Sequence, residues 1–234
     1  MKPIIITAYL RCGVVSDPWL PLDGVLLYEV ARRQTGGGPD ASLPGTGTLR
    51  AISAPTPKLP LLKVHDDQYW YYACSFAEWG QPYAEGRDYW NKRNDVDKFL
   101  DMLSRDVHRL DVGSGRYKSY HMPVFYRVAP WVRWWAIGEI DAIRDLLGGI
   151  LALGKKRAYG WGRVIRWTVD ETDQDRSLWV GPIPQRAIPV THLAGHHWQG
   201  HAEPRTMQWS FRPPYYESAN FATCYMPEGV RIAH

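Results

Sequence analysis

The sequence lacks the features that mark several large classes of protein. It contains no run of about 18 apolar residues, and no long apolar stretch follows Met1 and leads to a small-residue cleavage site. We therefore expect a soluble, cytoplasmic protein with no membrane partner. The chain has 3 cysteines in 234 residues. They are far apart, which excludes a C-x-x-C zinc site and indicates a reducing compartment.

Familiar catalytic and cofactor motifs are also missing. No Gly-Lys-Ser/Thr follows a glycine at P-loop spacing, and no G-x-G-x-x-G, G-x-S-x-G or H-E-x-x-H pattern occurs. Asp66 and Asp67 are neighbouring acids, but they lie in a predicted turn and are typical of turn chemistry. We therefore predict no cofactor, no metal and no catalytic residue.

The composition indicates a folded, modestly basic protein. Hydrophobic residues make up 45% of the chain, the formal net charge is +4 and the calculated isoelectric point is 8.9. A basic balance favours a polyanionic partner without requiring one. The chain carries 12 tryptophans, where average usage would give about three or four. We expect most in the core and a minority on a basic surface as platforms for stacked bases.

Hydrophobic periodicity predicts an α+β chain in which one order of elements occurs twice. A β-branched strand over Ile4 to Leu10 precedes a helix for which Asp23 is the expected N-cap. Later strands and helices repeat the order of strand, helix and strand, as in a ferredoxin-like unit with an open antiparallel sheet. The expected elements are strands at 61–64, 68–76, 121–128, 131–137, 164–169, 178–183 and 207–211 and helices near 95–107 and 139–147.

Three segments interrupt this pattern within a single domain over residues 1–234. Residues 34–60 are rich in Gly, Pro, Ser and Thr and form a long loop, either disordered in isolation or ordered against a partner. Residues 86–120 are charged, and an ordinary surface helix with polar flanks is the plainer interpretation of this segment. Residues 171–234 are a C-terminal extension that we expect to pack on the same core, because no clean linker isolates it.

A glycine-rich basic segment organises the prediction of function. Its glycines permit positive φ angles and close approach of a ligand, while its cations and aromatic rings provide charge and stacking surface. This is chemistry suited to gripping a nucleic-acid backbone. A turn with solvated charges is the plainer alternative. The segment runs Gly154, Lys155, Lys156, Arg157, Ala158, Tyr159, Gly160, Trp161, Gly162, Arg163.

The pattern G-K-x-R-x-x-G-x-G-R-V, placed after a short amphipathic helix, resembles the C-terminal glycine-rich loop of the RAMP superfamily of CRISPR-associated proteins. Further stretches are similar to the Cas-five-like subunit (Csf family) of type IV CRISPR effector complexes. They are the Ile4 to Leu10 strand with the segment 21–27, the segment Trp90-Asn91-Lys92-Arg93, and Pro213-Pro214-Tyr215-Tyr216.

The resemblance implies a ferredoxin-like (RRM-like) RAMP fold with an inserted thumb at residues 86–120. It also implies a non-catalytic, RNA-binding subunit that holds the 5′ handle of the guide crRNA. Its partners would be a Cas-seven-like backbone subunit and a large-subunit homologue, with contact to target DNA left open. The expected RNA contacts are Lys155, Lys156, Arg157, Tyr159, Trp161 and Arg163, then Arg87, Lys92, Arg93, Arg116 and Lys118, with Gly154, Gly160 and Gly162 as the backbone of the loop.

The sequence is also compatible with two other functions. A metal-independent endoribonuclease that processes guide RNA would need a base and a cation, for which His65, His108 or His121 with Lys155 or Lys118 are the candidates. A subunit that serves only assembly is the other. His192, His196, His197 and His201 lie close together, but Gly195 and Gly200 argue against a regular helix, and a polar loop is the simpler interpretation.

Overall fold

The computed structural model describes residues 1–34, 58–65, 69–93, 95–102, 111–114, 118–193 and 202–233. Most of the predicted long loop, together with Arg116, His108, His196, His197 and His201, lies outside the described residues. The described elements in chain order are β1 (Lys2–Leu10), α1 (Leu22–Gln34), β2 (Lys63–His65), β3 (Trp70–Tyr72), β4 (Glu78–Trp79), β5 (Ala84–Lys92), α2 (Val96–Met102), β6 (Tyr120–Val128), β7 (Trp131–Gly138), α3 (Ile140–Gly148), β8 (Val164–Glu171), β9 (Trp179–Val180), β10 (Ile183–Pro184), β11 (Ile188–Pro189), β12 (Thr206–Ser210), β13 (Phe221–Tyr225) and β14 (Arg231–Ile232).

A five-stranded sheet in the order β14-β4-β7-β1-β8 forms the centre of the molecule. Strand β1 pairs antiparallel with β7 on one side and with β8 on the other, and β4 pairs antiparallel with β7. Strand β14 is added to the edge at β4 in parallel. The α+β class predicted from the sequence is confirmed, and the sheet is mixed rather than purely antiparallel.

The two faces of this sheet are different. Side chains alternate along a strand, so Ile4, Ile6 and Ala8 of β1 point to one face, where they are fully buried in the main hydrophobic core with residues of α1 and α3. Thr7 and its in-register neighbours point to the other face. Helix α3 packs through Ile143, which is also fully buried. The helices therefore cover one face of the sheet.

A buried ion pair fastens the C-terminal extension to the core. The guanidinium of Arg186 lies 3.2 Å from Asp23 Oδ2 and donates to Phe211 O at 2.6 Å. The Tyr215 hydroxyl donates to Asp23 Oδ1 at 2.6 Å. Burial works against the charge of Arg186, but the attraction of Asp23 raises its pKa. Asp23 is thus the buried second residue of α1, and the prediction that it caps the helix from outside is wrong.

The extension contributes its own sheet, in the order β11-β13-β12, and a second buried cluster. That cluster includes Phe76 and Tyr71 from the first half of the chain together with Ile188, Phe211 and Cys224 from the extension. Packing between the two parts is therefore continuous through apolar side chains as well as through the ion pair.

A long antiparallel hairpin, β5 with β6, stands beside the central sheet and pairs from Ala84↔Val128 to Lys92↔Tyr120. An isolated bridge between Val14 and Arg127 holds its base to the segment after β1. The predicted strand at 121–128 is confirmed. Strand β5 was not predicted, because its charged and polar residues hide the alternation of a strand.

Candidate nucleic-acid interface

The backbone of the glycine-rich segment explains why glycines are needed there. The φ angles of Gly154, Gly160 and Gly162 are 75°, 90° and 72°. Residues that carry a side chain rarely adopt such positive values. A Cβ on Gly162 would lie 2.0 Å from Leu153 O, whereas a Cβ on Gly160 would meet nothing within 4 Å. Gly162 is therefore needed for a close backbone approach, and Gly160 for its backbone angle alone.

The segment that follows β1 holds this loop in place. The backbone N–H of Lys155 donates to Val15 O at 2.6 Å, and that of Gly162 donates to Gly13 O at 2.8 Å. The Cys12 thiol donates to Gly160 O at 3.1 Å. These long-range bonds fix both ends of the loop on the first strand's continuation, so its side chains project from a supported backbone.

Lys156 lies between the loop and the hairpin. Its Nζ is 2.8 Å from the centroid of the Trp90 ring, and the Trp90 ring is 5.2 Å from that of Tyr159. Burial lowers the pKa of Lys156. Cation–π contacts of this kind contribute about 0.5 to 2 kcal/mol, depending on exposure. The predicted residues Lys156 and Tyr159 thus meet, through a tryptophan that was not among the predicted contacts.

Two more loop residues pack on aromatic rings from other elements. The Arg157 guanidinium lies 4.0 Å from the ring centroid of Tyr28 in α1. The ring centroids of Trp161 and of Tyr126 in β6 are 4.8 Å apart, with 33° between the ring planes. The loop therefore joins helix α1 to the hairpin through its own side chains.

The remaining cations of the loop are on the surface. Lys155 Nζ lies 3.4 Å from Asp17 Oδ2, and both side chains are about two-thirds exposed, at 70% and 68%. An exposed pair of this kind holds its partners weakly. Arg163 is also exposed. These two cations remain accessible to an anionic ligand.

An apolar groove of about 450 Å³ opens next to the loop. Lys155, Arg157 and Asp17 lie among its lining residues. Its walls come from α1, from the approach to the loop and from the C-terminal extension. The aromatic residues that line it are Trp19, Tyr28, Trp209, Tyr215 and Phe221. A cationic rim beside aromatic walls is an arrangement that suits a nucleotide chain.

The second group of predicted contacts lies mainly on the hairpin. Trp90 faces the loop, so its neighbours in β5 face away from it. Arg87 accordingly packs over Tyr89, 5.2 Å from the ring centroid, on the opposite face of the hairpin. Lys92, Arg93 and Lys118 lie at or beyond the far end of the paired strands. The structure does not bring Arg87 together with the loop.

The candidate histidines that the structure describes contact aromatic residues outside the glycine-rich segment. His121 stacks on Tyr89 at 4.3 Å between ring centroids, and His65 pairs with Trp70 in the small β2–β3 hairpin. His192 contacts the Tyr71 ring edge-on at 5.4 Å. Within the described ranges, no hydrogen bond or ring contact joins His65 or His121 to the glycine-rich segment.

Sequence reasoning missed the residues that complete the interface. Trp90, Tyr28 and Tyr126 reach the loop through tertiary packing, and no spacing rule relates them to it. The one available signal was the excess of tryptophan, which predicted aromatic surface without giving its location. Trp90 also stood in a segment already noted for its resemblance to the Cas-five-like subunit.

The fold and the interface together define a class: an α+β protein with a glycine-rich, basic and aromatic loop supported by its first strand. A family model matches residues 2–227, and its description is CRISPR type IV associated protein Csf3. The chain belongs to this family, so the predicted type IV CRISPR association is confirmed. No curated protein matches the chain. None of the helices in the described ranges is both long and apolar enough to cross a bilayer.

Proposed function

We propose that this chain is a non-catalytic, RNA-binding subunit of a type IV CRISPR ribonucleoprotein and holds the 5′ handle of the guide crRNA. The single observation that carries the proposal is the position of Lys155 and Arg157 in the lining of an aromatic groove, on a fixed glycine-rich backbone that also carries the exposed Arg163. Membership of the Csf3 family supplies the CRISPR context.

The central sheet supports a ferredoxin-like RAMP fold for the core. Strands β4, β7, β1 and β8 follow the order and antiparallel pairing of a βαββαβ unit, with α1 and α3 as its two helices. The glycine-rich segment then falls between the second helix and the last strand of that unit. The β5–β6 hairpin would form the described part of the inserted thumb.

Phosphate groups of the handle would bind Lys155 and Arg163, because both side chains are exposed on the loop. Arg157 would act from the lining of the groove, where its guanidinium packs on Tyr28. Lys156 would contribute less, since its ammonium already rests on the Trp90 ring. Unstacked bases would enter the groove between aromatic walls, a contact that adds roughly 1 to 3 kcal/mol per base. Neighbouring Cas-seven-like and large-subunit proteins would contact other surfaces of the chain.

Salt titration of RNA binding tests this role. Each phosphate contact to a single strand adds roughly 0.7 to the slope of log affinity against log salt. We expect the variant Lys155→Ala, Arg157→Ala, Arg163→Ala to lower that slope by about 2 on a single-stranded RNA that carries the CRISPR repeat. Filter binding between about 50 and 200 mM salt measures it.

A matched control removes three cations that do not line the groove: Lys2→Ala, Lys58→Ala, Arg205→Ala. Lys2 lies at the end of β1 remote from the loop. The slope of log affinity against log salt for this control variant should equal that of the parent protein. If the loop variant and the control lower the slope equally, the loop cations have no special role in RNA binding and the proposal fails.

The endoribonuclease alternative is tested in the same preparation. Repeat RNA incubated with the protein in EDTA should remain intact if the subunit only binds. A single discrete cut that disappears in His121→Ala or His65→Ala would replace the binding proposal with a processing enzyme. His121→Phe is the better variant for structure, because it keeps a ring stacked on Tyr89.

A further inference from the structure

The sheet face that α1 and α3 leave uncovered carries a row of charged residues across three strands. Glu78 of β4 is the register partner of Arg133 in β7 and of Arg231 in β14. Directly paired residues point to the same face of a sheet. Arg133 is in turn paired with Thr7 of β1, whose neighbours Ile6 and Ala8 point into the helix-covered core. The row therefore lies on the opposite face.

A cavity of about 560 Å³ opens over this row and is distinct from the groove beside the glycine-rich loop. Arg176, from the segment between β8 and β9, lines it together with Arg133, Arg231 and Glu78. We call these three arginines and their cavity the arginine pocket. Val180, Ile183, Val230 and Ile232 supply apolar walls.

The positive charges in the arginine pocket are not balanced within its described lining. Glu78 Oε1 lies 3.8 Å from Arg231 Nη2, so the one carboxylate of that lining is matched to Arg231. Arg133 and Arg176 rest on the rings of Trp131 and Trp135, at 4.4 and 4.6 Å from the ring centroids. In the described part of the chain neither forms an ion pair, and the Nε of each is buried without a hydrogen-bond acceptor.

The electrostatics of Arg231 reflect this surplus. Burial lowers its pKa to about 10, and although Glu78 opposes that shift, repulsion from Arg176 adds to it. Arg176 and Arg231 line the same cavity, and the Arg231 side chain is mostly buried there. Uncompensated charge in such a place is costly, and a bound oxyanion relieves the cost.

We propose that the arginine pocket binds a terminal phosphate monoester carried by a nucleotide or by the end of a nucleic-acid strand. Two unmatched guanidinium charges suit the double charge of a phosphate monoester better than the single charge of a carboxylate. Arginine forks match phosphate oxygens in bidentate geometry. The volume and apolar walls leave room for the organic part of a ligand, in the range usual for small-molecule sites. The site does not depend on the proposed role of the glycine-rich loop.

Calorimetric titration of the full chain with adenosine 5′-monophosphate tests the proposal, with adenosine and inorganic phosphate as parallel probes. We expect the monophosphate to bind at least about tenfold more tightly than adenosine, from the charge-assisted bonds to phosphate. A strand with a 5′-phosphate compared with the same strand lacking it then distinguishes a strand end from a free nucleotide.

Three single variants should change the affinity for the monophosphate, two by lowering it and one by raising it. Arg133→Gln and Arg176→Gln should each weaken monophosphate binding about tenfold or more. Glu78→Gln removes the competing carboxylate but can keep its hydrogen bond with Trp135 Nε1, at 3.4 Å, and should tighten binding. A gain in affinity is not produced by partial unfolding. Arg205→Gln, an exposed arginine outside the pocket, should change nothing.

Three results would overturn the proposal: equal affinity for adenosine and its monophosphate, weaker binding in Glu78→Gln, or tighter binding of an acetylated Asp-Asp peptide than of the monophosphate. The last would assign the pocket to a protein carboxylate. The triple variant of the glycine-rich loop should bind the monophosphate as the parent does, so failure of the loop proposal leaves this result intact.

Discussion

Replacing Asp23 with asparagine should destabilise the protein far more than its place on a predicted helix end suggests. The exposed fractions of the Asp23 and Arg186 side chains are 0% and 1%. The substitution leaves the Arg186 charge buried without a counter-charge. Breaking a buried pair from one side costs about 3 to 5 kcal/mol, a large share of the roughly 5 to 15 kcal/mol that holds most domains folded.

Urea unfolding followed by tryptophan fluorescence measures this loss. The control is Glu171→Gln, which breaks a surface pair with Lys2 at 2.9 Å whose side chains are 65% and 55% exposed. It should cost less than about 1 kcal/mol. Tyr215→Phe removes one hydrogen bond to a charged group. Its loss of free energy of unfolding should lie between those of Glu171→Gln and Asp23→Asn, at about 1.5 to 3 kcal/mol.

If Asp23→Asn costs no more free energy of unfolding than Glu171→Gln, the pair does not behave as a desolvated charge cluster. The attachment of the C-terminal extension would then rest on its apolar contacts alone.

Two further predictions concern the loop and pH. Gly162→Ala should lower the melting temperature much more than Gly160→Ala, because both strain a positive φ but only the former also drives a Cβ into a carbonyl oxygen; differential scanning fluorimetry compares them. Burial acts to raise the pKa of Glu29, yet its hydrogen bonds with Arg32 and Arg33 outweigh burial and lower it below the ordinary 4.5. Its stabilising contribution is therefore present above about pH 4.5 and lost as pH falls through the lowered pKa, so unfolding curves of Glu29→Gln should depend less on pH across that acid range than those of the parent.

Elements with strong periodicity could be predicted from the sequence. The run Ile4 to Leu10 lies within β1, and the predicted strands at 121–128 and 131–137 and helix at 139–147 match β6, β7 and α3 closely. These segments alternate or repeat apolar residues over several turns or pleats, so local sequence determines them. Strands β4 and β14 have two residues each, too short for any period to show.

The candidate sites differ in the same way, because one is contiguous in sequence and the others combine separate strands. The glycine-rich segment was visible because its residues are contiguous, and the structure explains each of its glycines by a backbone angle. The Lys156–Trp90 contact and the row through Glu78 depend on how separate strands pair and pack. No pattern within one segment specifies such register, so these features arise only when the chain is folded.

The β5–β6 hairpin has a consequence for how this chain can vary. Its strands begin and end at paired positions, and residues 93–119 connect Lys92 to its register partner Tyr120. Because closing a longer loop between two adjacent points costs little free energy, that stretch can lengthen, shorten or be exchanged without altering the pairing of the central strands. A fluorescent or affinity module grafted there would report on assembly while leaving the strands of the central sheet and their pairing untouched.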